Sequence, residues 1–278
     1  MPLVDTHQHL WDLRRFPYSW TAGIPALHRS FLPGDYAAAA AGLGITKTVF
    51  VECDVDEPHA LAEAQHLQAL AEQHPLIAGI VASGRPERDG FRAHLEALAT
   101  LPKVRGLRRV LHTQPDALAQ SPGFAENLRL LPEFGLTFDL CVLGRQLPFG
   151  IDLVRRCPGV CFILDHCGVP DVKGRALDPW RAHIRELAAL PNVACKISGL
   201  VAYADPAAWT VDDLRPWVEH VLESFGWDRV VWGGDWPVCT LAAPLSRWVE
   251  AIRILTRSAT ADQQAGLFHR NAERIYRV

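Results

Sequence analysis

No uninterrupted apolar run in this 278-residue chain approaches the ~20 residues of a membrane span. The first residues hold no positive segment followed by a long apolar core, so a secretory signal is not expected. Long runs of one charge are missing too, and the formal net charge is only −3. That argues against nucleic acid or an anionic membrane as the main partner. None of the seven cysteines forms a Cys-x-x-Cys pair, which removes zinc ribbons and thioredoxin-like sites from consideration. An odd number of thiols fits a reducing compartment, so a cytoplasmic protein is expected. Cys53, Cys141, Cys161, Cys167 and Cys195 read as small, reduced, mostly buried side chains in or beside strands. No Ser/Gly-rich linker divides the chain, which reads as one domain, monomeric or homodimeric.

What the chain has is a steady alternation of two patterns. Near-continuous apolar runs are predicted as strands at the N-terminus (Leu3 onward) and over 46–51, 76–82, 104–111, 136–142, 160–164, 193–197 and 229–232. Amphipathic stretches between them are predicted as helices over 36–43, 58–74, 91–101, 124–131, 146–156, 179–190 and 211–225, with two more at about 244–256 and 261–276. Apolar strands alternating with helices imply a parallel sheet covered on both faces. Eight such units, in a chain near the ~250 residues typical of the architecture, match an α/β fold of the (β/α)8 or TIM-barrel type. A doubly wound open sheet is disfavoured because no Gly-x-Gly-x-x-Gly follows the first strand. Residues 11–33 have neither period, and a loop of that length is usually functional.

Barrel sites are built where the C-terminal ends of the strands meet the following loops. Those predicted ends carry His7 and His9, Glu52, Arg108, Arg109 and His112, Asp165 and His166, Lys196 and Ser198, and Asp235. His7 and His9, two residues apart on a strand, share a face. Imidazoles and carboxylates gathered at one mouth are costly to desolvate unless paired or coordinated. His7, His9, His166 and Asp235 make a nitrogen and oxygen set for one Zn²⁺ or Mn²⁺ ion, with Glu52 a weaker candidate. A metal-free site is also workable, with Asp235 as general base on water and His7, His9 and His166 hydrogen-bonding a carbonyl. Arg108 is a candidate for binding a carbonyl or carboxylate. His112 and Lys196 are further substrate contacts, and Trp20 and Trp236 are candidate pocket walls. Asp5 and Asp165 are expected to orient neighbouring imidazoles. Gly233 and Gly234, without side chains, leave room for substrate beside Asp235.

Several segments also resemble one family. Asp5-Thr6-His7-Gln8-His9-Leu10-Trp11-Asp12, Gly106-Leu107-Arg108-Arg109, Leu164-Asp165-His166-Cys167-Gly168, Lys196-Ile197-Ser198-Gly199-Leu200, Trp232-Gly233-Gly234-Asp235-Trp236-Pro237 and Asn271-Ala272 are similar, in this order, to the amidohydrolase superfamily and its sugar-lactonase branch. The resemblance implies a (β/α)8 barrel that hydrolyses a cyclic ester such as an L-fucono-, L-rhamnono- or L-galactonolactone. It places His7 and His9 at the first strand, His166 at the sixth and Asp235 at the eighth. Arg108 and Arg109 stand where other superfamily members carry a modified lysine, and the fifth strand offers no histidine. At most one divalent ion is therefore expected. The resemblance leaves two alternatives: a metal-dependent decarboxylase or hydratase of aromatic or unsaturated acids, and a non-catalytic sugar-acid binding protein. Loops 11–33 and 112–122 are expected to choose the substrate.

Overall fold

A computed structural model describes all 278 residues. The strands are β1 (Leu3–Gln8), β2 (Ile45–Val51), β3 (Ile77–Ser83), β4 (Val104–Val110), β5 (Thr137–Cys141), β6 (Phe162–Leu164), β7 (Val193–Ile197) and β8 (Val230–Trp232). Each pairs in parallel with the next, in the order β1 to β8. The ends of β1 and β8 meet through a Gln8–Trp236 bridge, and the Asp235 N–H donates to the His7 carbonyl at 2.7 Å. The result is the expected (β/α)8 barrel. Helices α1 (Pro33–Ala40), α2 (Ala60–Gln73), α3 (Phe91–Ala99), α4 (Ala117–Gln120), α5 (Pro122–Leu128), α6 (Leu147–Arg156), α7 (Trp180–Ala188), α8 (Val211–Phe225), α9 (Leu245–Leu255), α10 (Ala261–Ala265) and α11 (Asn271–Tyr276) connect and cover the strands. None is long and apolar enough to cross a membrane.

Two hydrophobic layers follow from strand alternation. Leu3, Phe50, Leu107, Phe138 and Phe162 face the helices. Val4, Val49, Val81, Ile163, Ala194 and Val231 form the smaller inner cluster, which Ile275 and Tyr276 of α11 close from below. In β1 the ladder slips between Asp5 and Gln8, where three steps of β1 lie opposite two of β2. Such a bulge inverts which side chains face inward. Val4 and His7, an odd number of residues apart, therefore both point into the barrel, and His9 follows His7.

Other departures have local causes. Strand β6 stops at Leu164 because His166, Cys167, Gly168 and Val169 all adopt left-handed backbone angles. The segment read as one helix over 261–276 is broken by a π-turn at Gly266–Arg270, after which the Asn271 amide donates to the carbonyls of Trp227 and Val230. Loop 112–122 contains α4. The loop over 11–33 is ordered by mutual Trp11 and Phe31 backbone bonds at 3.0 and 2.8 Å. Six of the seven cysteines are buried as expected, but Cys161 is exposed.

Glu63, on α2, anchors that loop by accepting a hydrogen bond from the Tyr18 hydroxyl at 2.8 Å. Burial, reinforced by the Glu52 charge, pushes the Glu63 carboxyl from 4.5 up to about 8. A native state that keeps a proton the unfolded chain has already lost becomes less stable as pH rises through that interval. Glu63→Gln keeps the acceptor and removes the titration. Its stability relative to the parent is expected to rise with pH, by at most about 1.4 kcal/mol per unit. Urea unfolding across this pH interval checks it, and a gap independent of pH would refute it.

Candidate active site

Three imidazoles and one carboxylate converge at the C-terminal mouth. The His7 ring lies 4.8 Å from that of His9 and 4.4 Å from that of His166, centroid to centroid. Asp235 Oδ1 is 3.5 Å from His9 Nε2 and 3.8 Å from His7 Nε2. His9 Nδ1 lies 2.8 Å from the Val51 carbonyl, which can only accept, so Nδ1 carries the proton. In neutral His9 the Nε2 lone pair then faces the Asp235 carboxylate, an arrangement of two acceptors that calls for a proton or a cation between them.

His166 is presented by the left-handed turn. Non-glycine residues in that conformation cost roughly 1–2 kcal/mol each, and here the turn is held from several sides. Ser198 Oγ accepts from the His166 N–H at 3.3 Å and lies 2.9 Å from His166 Nδ1, while the Trp180 indole donates to the Cys167 carbonyl at 2.8 Å. Gly199, at φ +66°, leaves space for the ring, because a Cβ there would lie 2.5 Å from His166 Nδ1. Gly199→Ala is expected to displace the imidazole and lower kcat by about 100-fold, the scale of an ångström-sized misplacement. Steady-state kinetics with far-UV circular dichroism checks this; unchanged kcat in a folded variant would contradict it.

Beneath the imidazoles runs a buried ladder of charge. Glu52 accepts from Arg108 Nε at 2.8 Å, and Arg108 Nη1 lies 3.3 Å from Asp165 Oδ2 and 3.2 Å from His7 Nε2. Lys196 Nζ is 2.9 Å from Asp165 Oδ1, 2.6 Å from Asp139 Oδ2 and 3.2 Å from His7 Nδ1. Tyr276 donates to Asp139 at 2.9 Å. Burial works against the Asp165 carboxylate, but Lys196, His7 and Arg108 together hold it well below its usual range. Burial pushes Asp139 up to about 6, with Lys196 opposing. Burial, then the Lys196 charge, lowers His7 well below the usual imidazole value, and burial lowers His166. Both imidazoles are thus neutral near pH 7. Four carboxylates (Glu52, Asp139, Asp165 and Asp235) meet two cations (Arg108 and Lys196), an excess of two negative charges.

A cavity of about 360 Å³ opens above, within the ~300–1,000 Å³ range of small-molecule sites. Of the predicted residues, His9, His166, Asp235, Arg108, His112 and Trp20 line it. The Trp20 indole donates to the Cys53 carbonyl at 2.7 Å, which sets its ring at the rim. Burial, Arg108 and His166 bring the His112 imidazole down to about 4.

Other expectations need correction. Lys196 is wholly buried in the ladder, so it contacts Asp139 and Asp165 rather than substrate. Trp236 packs edge-on against Phe31 and Tyr36, both at 5.4 Å, away from the cavity wall. Glu52 is committed to Arg108 and does not face the imidazoles. Asp165 does sit beside an imidazole, 3.4 Å from His7 Nδ1. Asp5 does not: it accepts from the His7 and Gly234 N–H groups and the Tyr36 hydroxyl. Gly233 and Gly234 make room for β1 rather than for substrate, since Cβ atoms there would lie 2.6 Å from His7 Cβ and 2.5 Å from Asp5 Oδ2. Asp139 and Tyr203 escaped the sequence reading. A charged residue amid the apolar fifth strand was a usable signal for Asp139, whereas nothing local marks Tyr203, which lines the cavity.

Residues 4–278 match the family model described as amidohydrolase. An L-fucono-1,5-lactonase from Burkholderia multivorans is 32% identical over 98% of this chain and 95% of its own length. Another L-fucono-1,5-lactonase, from Burkholderia ambifaria, is 30% identical over 99% and 95%. The crystal structure of a zinc-bound amidohydrolase from Burkholderia multivorans superposes over 100% of both chains with TM-score 0.89 at 29% identity.

Proposed function

The chain belongs to the amidohydrolase family, and we propose that it opens a sugar-acid lactone, of the L-fucono-, L-rhamnono- or L-galactono- type, to the free aldonic acid. The observation that carries this reading is the Asp235 carboxylate facing the imidazoles of His9 and His7 at the floor of a small-molecule cavity. Similarity along the full chain to two lactonases of this substrate class supports it.

In this mechanism the lactone carbonyl lies toward His166 and Arg108, the ring on the Trp20 side. Asp235 takes a proton from water as the oxygen adds to the carbonyl carbon. His166, with Arg108 behind it, stabilises the negative charge that develops on the carbonyl oxygen, a contribution worth about 3–4 kcal/mol per well-placed donor. His9, its proton held by the Val51 carbonyl, presents only the Nε2 lone pair. Asp235 then returns the proton to the ring oxygen as the C–O bond breaks, leaving a hydroxyl and a carboxylic acid that ionises by releasing its proton to solvent. Ser198 fixes the His166 ring, burial and the Lys196 charge keep His7 neutral, and Asp165 holds its ring in place.

The residues fit one divalent cation. Ligand atoms of His7, His166 and Asp235 lie within 4.8 Å of one another, the His9 lone pair faces Asp235, and the ladder together with Asp235 carries two surplus negative charges. Zinc or manganese held there would polarise the carbonyl and lower the pKa of bound water.

A pH-indicator screen over an aldonolactone library tests the proposal. Acid release from a six-carbon deoxyhexono- or hexonolactone is expected. Absence of hydrolysis across the panel, or carbon dioxide release from an aromatic acid instead, would overturn it. Running the screen with chelator separates the two ways of holding the oxyanion: loss of rate assigns it to a cation, retention to His166 and Arg108.

A further inference from the structure

We propose that Cys141 is a metal ligand, and that a thiophilic divalent cation of the zinc or cadmium class binds between Cys141, Asp165 and His166, with His112 as the fourth donor. The inference rests on the reading that the mouth accepts one divalent cation, and it concerns where a thiophilic one is held.

Cys141 ends β5 and points inward, two residues beyond Asp139. The other buried thiols with polar contacts donate to backbone carbonyls, Cys53 to Leu10, Cys157 to Ala125 and Cys167 to Lys196, and although Cys53 Sγ also lies 3.6 Å from His9 Nδ1, that nitrogen's proton is already held by the Val51 carbonyl. Cys141 makes no such bond. Its sulfur instead lies 3.3 Å from His112 Nδ1. Ligand atoms of Cys141, Asp165 and His166 all lie within 4.8 Å of one another. Tetrahedral zinc with bonds of ~2.1–2.3 Å separates its ligand atoms by about 3.6 Å. The sulfur-to-imidazole distance is already close to this, and small side-chain rotations would draw in the rest.

The ladder's three carboxylates (Glu52, Asp139 and Asp165) exceed its two cations by one, so a cation beside Asp165 meets a net negative charge. A mixed sulfur, nitrogen and oxygen set suits zinc or cadmium, whereas manganese prefers oxygen and nitrogen alone. This seat shares His166 with the one formed by His7, His166 and Asp235. His166 Nδ1 is engaged by Ser198, so a single ring nitrogen serves both seats and only one can be filled at a time. On binding, the Cys141 S–H bond gives way to a sulfur–metal bond and the proton passes to solvent.

Cobalt(II) titration of the chelator-treated full chain tests this. One cobalt per chain is expected, with a near-ultraviolet sulfur-to-cobalt charge-transfer band that is lost in Cys141→Ser and retained in Cys53→Ser. Bound cobalt without that band would overturn the inference and leave the lactonase and cation readings standing. A band that survives in Cys141→Ser would overturn it as well. Absence of cobalt binding would overturn both the Cys141 inference and the cation reading, while lactone hydrolysis in the separate screen would still stand. Should Cys141→Ser fail to fold, the ¹¹³Cd resonance of the cadmium-loaded parent decides, because a sulfur ligand moves it strongly downfield of its position with nitrogen and oxygen ligands alone.

Discussion

Asp235→Asn is expected to lower kcat by about 10²–10⁴-fold, the range attributed to a positioned general base, while leaving KM and folding nearly unchanged. Asparagine matches aspartate in shape, and it tolerates left-handed backbone better than most residues. That matters because Asp235 sits at φ +54° with its N–H bonded to the His7 carbonyl. The substitution should therefore preserve the β1–β8 closure and remove only the charge. What is lost is the capacity to accept a proton from water and return it to the leaving oxygen. Stopped assays on the best lactone from the screen, with circular dichroism as the folding control, make the measurement. Near-parental turnover would place the base elsewhere.

Lys196→Met is expected to destabilise the protein by about 3–5 kcal/mol, the scale for removing one partner from a buried ion pair. Lys196 has no exposed surface and lies within 2.9 Å of both Asp139 and Asp165. Methionine fills most of the volume, so the deficit reports two buried carboxylates that lose their shared cation rather than a cavity. Burial alone would lower the Lys196 pKa, but Asp139 and Asp165 raise it above 10.5. Its stabilising contribution is therefore complete through the neutral range and is lost only as pH climbs past that value. The variant's deficit should shrink in acid, where Asp139, already pushed up to about 6, takes a proton and relieves the repulsion. Adding Asp139→Asn to Lys196→Met should recover part of the loss. Urea unfolding of the single and double variants tests the coupling, and additive effects would show that the two side chains act independently.

The barrel was legible because eight apolar strands alternate with helices in a regular order. The residues that meet at the mouth were legible because barrel topology assigns strand ends to one face. His7, His9, His166, Arg108 and Asp235 could thus be grouped without knowing any distance. Depth along a strand was not legible. Lys196 and Glu52 carry the same chemistry as site residues, yet the packing of neighbouring strands buries them in the ladder instead of exposing them to the cavity. Trp236 was equally ambiguous, since Phe31 reaches it only through the folding of the long loop after β1. The left-handed turn at His166 could not be anticipated either. Valine and cysteine disfavour that conformation, and long-range bonds from Ser198 and Trp180 help to hold it.

The slip in β1 has a wider meaning for this scaffold. Regular alternation counted from Val4 would turn Thr6 and Gln8 toward the mouth and hand both histidines to the surrounding helices. Nothing in the hydrophobic layers would object, because Val4 and Leu3 keep their places on either count. The parity of one strand is therefore all that separates a barrel equipped for chemistry from an inert one of the same composition. Asp5, through the N–H groups of His7 and Gly234, guards that parity. Its part in the chemistry is exercised two residues before the first reactive group.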